Sequence, residues 1–141
     1  MKYRMPLLVG AALLAGAASL PAQAVSSASS APHTVSVTKG QGKKACSWGV
    51  VCLYKNHKLN KGANAAILLT NHSLSRLGKF GFNDRATSVC NHTTRPVRLY
   101  EHDGYKGSSE TVRPSECKNV RTSFNDRASS VRLGTGPESA R

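Results

Sequence analysis

The fold is decided by FNDRATSV, residues 82–89, which returns as FNDRASSV at residues 124–131. Seven of the eight residues are identical, and the two copies lie 42 residues apart. A coincidence of that length is not expected in a chain of 141 residues. The repeat therefore indicates a duplicated unit, which carries the same set of amide, carboxylate and hydroxyl oxygens twice.

Short strand signals surround both copies. They are rich in Val, Leu, Ile, Tyr and Thr and are separated by Gly, Asn, Asp, Pro and Lys. No stretch keeps a helical period beyond one turn, so we expect an all-β sandwich or barrel. Each unit is long enough for four short strands, and two such units packed face to face would share one core. The predicted strands are Val50–Tyr54, Ala66–Thr70, Ser88–Asn91, Val97–Tyr100, Glu110–Val112 and Ser130–Leu133.

The N-terminus resembles a secretory signal. Lys2 and Arg4 precede an apolar stretch, and Ala22-Gln-Ala24 has the small residues of a cleavage site, so we expect a signal peptide at residues 1–24 and a secreted, extracellular protein. Residues 25–44, rich in Ser, Ala and Lys, are expected to form a flexible leader. We place the folded domain at 45–133 and a loose tail at 134–141.

The charge is strongly positive. The whole chain has a net charge of +13, and without residues 1–24 it keeps 18 Lys and Arg against 7 Asp and Glu, a net of +11. This favours contact with anionic surfaces. The basic residues are scattered rather than clustered, so we expect no specific nucleic-acid partner. No catalytic motif is present, so we do not expect an enzyme.

Four cysteines, at positions 46, 52, 90 and 117, form an even set in a short exported chain, which favours disulfides over metal binding. Three pairings are possible. We prefer Cys46–Cys52 with Cys90–Cys117, since a small domain gains stability from closing both loops.

The second unit resembles the Greek-key signature of the βγ-crystallins. Tyr100, Tyr105 and Gly107 match its spacing of an aromatic, four residues, an aromatic, one residue and a glycine. The octapeptide that follows resembles the calcium motif of the same proteins. The first unit departs from the signature, because Leu59 replaces the second aromatic and Gly62 comes one residue late. The resemblance implies a βγ-crystallin-type sandwich of two four-stranded Greek-key units.

The crystallin resemblance also implies a calcium site built across the two units. One site would use the Arg85 carbonyl, the Thr87 hydroxyl and Asp126; its counterpart would use the equivalent atoms of the other copy. Each site has one carboxylate, so we expect weak affinity, on the order of 10⁻⁴–10⁻³ M. The alternative is a purely architectural motif, in which the two arginines form salt bridges across the pseudo-twofold axis. The counterpart site is Arg127, Ser129 and Asp84, and the remaining loop residues are Asn83, Ser88, Asn125 and Ser130.

A narrower resemblance covers the whole domain. The opening Cys46-Ser-Trp-Gly-Val-Val-Cys52-Leu-Tyr54, followed by the octapeptides and a second cysteine pair, is similar to the streptomycete metalloproteinase-inhibitor family. The resemblance implies a secreted inhibitor of a metallo- or serine protease that blocks the cleft with a disulfide-clamped loop. Two segments are candidates for that loop, Cys46–Cys52 and Asn91–Arg95. Trp48 is either a partner anchor or a core residue.

Two other functions stay open. One is a calcium-binding extracellular structural or stress module with no enzyme target. The other is a basic antimicrobial or killer-toxin-like protein that acts on anionic envelopes. In each case we expect a monomer, with calcium as the one candidate cofactor.

Overall fold

A computed structural model describes residues 16, 19 and 32–135 of the chain. Apart from residues 16 and 19, the expected signal peptide lies outside the described residues, as do residues 25–31 of the expected leader and residues 136–141 of the expected tail. Residues 32–135 form two antiparallel sheets. No helix among the described residues is long and apolar enough to cross a membrane.

Eight strands make up the two sheets. Six of them overlap the predicted strands, although β6 begins four residues before the predicted start at Glu110 and β5 extends two residues beyond Tyr100. Strands β1 and β7 were not predicted. The eight strands are connected by short 3-10 turns at Lys43–Ala45, Leu77–Phe80 and Thr122–Phe124 and by a turn of left-handed backbone at His57–Asn60. The strands are β1 Val35–Gly40, β2 Val51–Tyr54, β3 Ala65–Thr70, β4 Ser88–Asn91, β5 Val97–His102, β6 Lys106–Val112, β7 Cys117–Asn119 and β8 Ser130–Leu133.

The sheets are unequal because the two units exchange strands. One sheet has the order β1-β3-β2-β4-β7 and the other β6-β5-β8. Strand β7 belongs to the second unit but pairs with β4, the last strand of the first. In return, Leu74 of the first unit forms an isolated bridge with Val131 in β8. Each Greek key therefore contributes the segment before its last strand to the sheet of the other. This segment is Leu74 in the first unit and β7 in the second.

The main core lies between the sheets. It joins the inward side chains of both units, and both octapeptide phenylalanines are buried in it, Phe82 fully and Phe124 with 2% exposed. Around them pack Val51, Leu53, Leu68, Val89, Val97, Leu99, Val112 and Val131. The core therefore depends on both units.

A second, smaller cluster lies on the outer face of the five-stranded sheet. Strand β2 is buried on both faces, because Val51 and Leu53 point into the main core while Cys52 and Tyr54 point outward into this cluster. The segment before β2 folds back to cover them, and the Tyr54 hydroxyl donates a hydrogen bond to the Gly42 carbonyl at 2.9 Å.

The expectation of a flexible leader is wrong for residues 35–40. These residues form β1, an edge strand paired with β3 from Val35↔Thr70 to Gly40↔Ala65. Its side chains are mostly exposed, so the strand depends on backbone hydrogen bonds rather than on an apolar face. Lys43–Ala45, also within the expected leader, forms a 3-10 turn.

Candidate functional site

The two octapeptides lie side by side and exchange equivalent contacts. The Asp84 N–H donates to the Ala128 carbonyl at 2.9 Å, and the Asp126 N–H donates to the Ala86 carbonyl at 3.3 Å. Both aspartates have left-handed backbone, with φ of 52° and 55°. Asp is one of the residue types that tolerate this conformation. The repeat therefore marks the pseudo-twofold contact between the units.

The side chains expected to share a cation site lie together. The Thr87 hydroxyl donates to Asp126 Oδ1 at 3.0 Å. In the equivalent pair, the Ser129 hydroxyl donates to Asp84 Oδ1 at 3.3 Å. Each pair joins the hydroxyl of one copy to the carboxylate of the other, as the crystallin resemblance implies. The oxygens present are those that a hard cation such as calcium prefers.

The asparagines and arginines of the motif shape these loops. Asn83 donates to the neighbouring Asp84 carboxylate at 2.8 Å, and Asn125 donates to Asp126 at 3.1 Å. The two arginines do not form salt bridges across the axis, so that part of the architectural alternative is wrong. Arg85 donates to the Gly81 carbonyl at 3.1 Å and Arg127 to the Ser123 carbonyl at 3.2 Å, four residues back in each case.

The two pairs have different surroundings. Lys55 and His57 line the depression beside Thr87 and Asp126. Glu101 lines the depression beside Ser129 and Asp84, and its carboxylate pairs with Arg127. Cations border both pairs, and only the second has an additional carboxylate nearby, which Arg127 neutralises.

The predicted Greek-key corner is present in the second unit. Gly104, Tyr105 and Gly107 have left-handed backbone, with φ of 70°, 63° and 81°. The rings of Tyr100 and Tyr105 meet edge to face, with centroids 5.9 Å apart. The first unit reaches the same shape without the aromatic, since Leu59 has φ of 54° and Gly62 of +80°.

The four cysteines join in the favoured pairing, Cys46 to Cys52 and Cys90 to Cys117. Cys52, Cys90 and Cys117 lie in register across β2, β4 and β7 on the outer face of the sheet. Cys90 belongs to the first unit and Cys117 to the second. The second disulfide therefore links the two units at the exchanged strand.

Trp48 stands at the tip of the loop that the first disulfide closes. Its side chain is 82% exposed, so the core-residue interpretation is wrong. Gly49 follows it with φ of +84°, which turns the chain back toward β2. The only other exposed large hydrophobic residue among those described is Val37, at 48%. Tryptophan is one of the residue types enriched among the hot spots of protein interfaces.

His92 brings the two candidate segments for the reactive loop into contact, because it belongs to Asn91–Arg95 and packs against Cys46–Cys52. Its ring stacks on Trp48 with centroids 4.8 Å apart, and Nδ1 lies 2.8 Å from the Cys46 carbonyl. Its backbone exchanges hydrogen bonds with Gly49 and Val50, at 2.9 and 3.0 Å. We call this surface, comprising Cys46–Cys52 and His92, the Trp48 loop.

The segment Asn91–Arg95 is less exposed than the sequence implied. Asn91 is fully buried, and its amide donates to the Arg95 and Val112 carbonyls at 2.8 and 3.1 Å. Only Thr94 of this segment is exposed. The segment therefore supports the Trp48 loop rather than forming a separate protruding loop.

His92 lies within the predicted candidate segment Asn91–Arg95, whereas Lys43 and Lys44 were not predicted to belong to this surface. The two lysines line a depression of about 470 Å³ together with Trp48 and His92. Their place there depends on the backward fold of residues 42–50 over the sheet. The one available signal was the absence of Asp and Glu before Asp84, which makes the first unit uniformly basic.

Comparisons with known proteins agree with this architecture. A family model described as peptidase inhibitor family I36 matches residues 40–112. A βγ-crystallin domain, solved in work on the evolution of the eye-lens βγ-crystallin fold, is similar with a TM-score of 0.59 and 22% identity, over 71% of this chain and 98% of that one. A βγ-crystallin from Ciona intestinalis is similar with a TM-score of 0.52 and 24% identity, over 61% of this chain and 100% of that one. No curated protein matches the chain significantly. The two structural likenesses establish the βγ-crystallin fold.

Proposed function

The chain belongs to peptidase inhibitor family I36, and from this we propose that it inhibits an extracellular peptidase by inserting the Trp48 loop into the cleft of the enzyme. The family implies a protease partner and favours a non-enzymatic role. Two disulfides are in keeping with an extracellular setting. The single observation that carries the proposal is the 82% exposure of Trp48 on a disulfide-closed loop.

Rigidity of the loop supports this mechanism. The Cys46–Cys52 disulfide closes it, the Trp48 ring rests on His92, and the His92 backbone holds Gly49 and Val50. A loop already held in one conformation loses little entropy when it binds. It also resists the distortion that cleavage by the target would require.

The charge of the surface indicates which clefts it fits. Lys43 and Lys44 border Trp48, and no acidic residue occurs before Asp84 in the chain. An enzyme cleft with an apolar pocket could receive the indole of Trp48. Carboxylates at the edge of that pocket would attract the ammonium groups of Lys43 and Lys44. Association would then be fast at low salt and would slow as ionic strength rises.

The decisive experiment is an inhibition panel of thermolysin-like and subtilisin-like proteases, with and without calcium, using the chain from Val25 onward. We expect a stoichiometric loss of activity for at least one enzyme. Full residual activity of every enzyme at excess protein would reject inhibition of both classes.

A matched pair of variants tests the loop itself. Trp48→Ala removes the anchor and should raise the inhibition constant by roughly 30-fold or more, the effect typical of a hot-spot residue. Val37→Ala removes the other exposed large hydrophobic residue, on β1, and should leave the constant unchanged. An equal effect of both variants would place the reactive site elsewhere.

We infer as a second candidate a calcium-stabilised extracellular module. The observation that favours it is the convergence of Thr87 with Asp126 and of Ser129 with Asp84. Calcium held there would be shared between the units and would oppose their separation. These residues would hold the ion together with the Arg85 and Arg127 carbonyls.

Calorimetric titration with millimolar calcium tests this second candidate. We expect weak binding heat and a rise in melting temperature in the original chain. Asp84→Asn and Asp126→Asn together keep the shape of both loops and remove both carboxylates, so they should abolish the response. The absence of any heat or stabilisation in the original chain would reject calcium binding and leave the inhibition proposal intact.

A further inference from the structure

A row of three exposed residues crosses the outer face of the three-stranded sheet. Arg98 in β5 lies opposite Thr111 of β6 on one side and opposite Arg132 of β8 on the other. Their sequence neighbours Val97, Leu99, Val131 and Leu133 point into the core, so the two arginines point outward. Two cations therefore stand directly opposite each other on paired strands.

This arrangement is unfavourable for the protein alone, since like charges placed opposite across a strand pair destabilise a sheet. Among residues 32–135, no carboxylate lies within 4.0 Å of either arginine. The arginines that form salt bridges there are Arg76, Arg121 and Arg127. The acidic residue of β6, Glu110, alternates with Thr111 and is buried against Lys118. Within residues 32–135, Arg98 and Arg132 therefore have no carboxylate that balances their charge.

Both guanidinium groups are nevertheless held in place. Arg98 donates from Nε to the Thr111 hydroxyl at 3.4 Å, which leaves its terminal N–H groups available. Arg132 Cζ lies 5.5 Å from the centre of the Tyr105 ring, a cation–π contact. The arginines are therefore oriented before any ligand arrives.

The two side chains line a depression of about 260 Å³, together with Pro96, Tyr100, Thr111 and Thr135. Arginine is the side chain best suited to an oxyanion, because its planar fork donates two parallel hydrogen bonds. We propose that this groove binds a tetrahedral oxyanion, a phosphate or sulfate group, between Arg98 and Arg132. The proposal does not depend on peptidase inhibition, which we assign to the Trp48 loop.

Thermal unfolding of the full domain tests the site, with sodium phosphate, sodium sulfate or sodium chloride at one ionic strength and pH 7. A ligand that binds only the folded state raises the melting temperature in a saturable way. We expect that rise with phosphate relative to chloride. A rise with phosphate alone assigns the site to phosphate groups, and an equal rise with sulfate assigns it to tetrahedral oxyanions in general.

The arginine variants make a paired prediction. Arg98→Gln relieves the like-charge pair, so in chloride it should lower the unfolding equilibrium constant, by up to roughly fivefold. In Arg132→Gln the loss of the cation–π contact with Tyr105 offsets this gain. Both variants should also lose the phosphate response. The matched control is Arg113→Gln, an exposed arginine in the turn after β6, which should keep the response in full. The proposal is overturned if phosphate has no effect on the original protein, or if Arg113→Gln reduces the effect as much as Arg98→Gln does.

Discussion

A Cβ atom built on Gly107 would lie 2.6 Å from Cδ2 of His102, the residue five positions earlier in the same corner. Gly107 also has φ of +81°, a backbone region that residues with side chains rarely adopt. Two separate constraints therefore require glycine here. The crystallin signature accounts for the backbone constraint, and the structure adds the contact with the imidazole.

Gly107→Ala should destabilise the domain more than Gly104→Ala does. Gly104 lies in the same turn with φ of +70°, but a Cβ there would meet nothing within 4 Å. Gly104→Ala should cost about 1 kcal/mol for backbone strain alone, whereas Gly107→Ala should cost about 2 kcal/mol because the exposed His102 ring must also move aside. Urea unfolding measures both values. Adding His102→Ala to Gly107→Ala should restore only the part of the free energy of unfolding that the clash removed. Equal losses of this free energy for Gly104→Ala and Gly107→Ala would contradict this account.

Ser88 and Ser130 explain the second serine position of each octapeptide. Ser88 Oγ accepts from the Leu59 N–H at 3.0 Å and donates to the Asn56 carbonyl at 2.6 Å. Ser130 Oγ accepts from the Tyr105 N–H at 3.0 Å and donates to the His102 carbonyl at 2.7 Å. Each serine therefore fastens the Greek-key corner of its own unit.

Ser88→Ala and Ser130→Ala should each lower the free energy of unfolding by about 1–3 kcal/mol, because each leaves a backbone donor and an acceptor without their partner. Ser108→Ala, at an exposed position of β6, should change it by less than about 0.5 kcal/mol. Thermal or urea unfolding compares the three. A loss at Ser108 equal to the other two would mean that the hydroxyls do not act through the corners.

The octapeptide repeat predicted the duplication, the local apolar patterns predicted six strands, and the Tyr100–Gly107 signature beside the octapeptide pointed to the fold class. Strand β1 escaped prediction because its side chains are exposed and its composition is polar. Strand β7 has three residues and is held by pairing with β4 and by the disulfide at Cys117. Such strands depend on tertiary pairing, which leaves little mark on the local sequence.

Some contacts of the candidate sites could likewise be predicted from the sequence, and others could not. The partners Thr87 and Asp126 follow from the repeat once the crystallin resemblance is made. The stacking of Trp48 on His92 joins positions 44 residues apart through the register of β2 and β4. The opposed pair Arg98 and Arg132 likewise depends on the register of β5 and β8. Contacts of this kind require the fold before they can be named.

The two disulfides should contribute unequally. Cys90–Cys117 closes the longer loop and joins the two units, so replacing both cysteines by Ala should cost about 3.6 kcal/mol. Cys46→Ala with Cys52→Ala should cost about 2.4 kcal/mol on the same model. We expect the variant without Cys46–Cys52 to lose more inhibitory activity than the variant without Cys90–Cys117, because it frees the Trp48 loop. Urea unfolding and the inhibition constant, measured on both variants, test the separation, and the reverse order of inhibitory losses would contradict it.

Tyr54 should make the domain sensitive to alkaline pH. Burial raises the pKa of its phenol from the usual value of about 10 to about 12. Between these values the unfolded chain releases the phenolic proton while the folded protein retains it, so the unfolded state binds fewer protons and stability falls as pH rises. Below pH 10 this group should have no effect on the pH dependence.

Tyr54→Phe should lower the free energy of unfolding at pH 7 by about 1 kcal/mol, since the hydrogen bond to the Gly42 carbonyl is lost. It should also flatten the decline of stability between pH 10 and 12. Tyr100→Phe, which leaves Tyr54 in place, is the matched control and should keep the decline of the original protein. Urea unfolding at a series of pH values measures both slopes. If Tyr54→Phe declines as steeply as Tyr100→Phe, the alkaline sensitivity arises from another group and the buried phenol does not govern it.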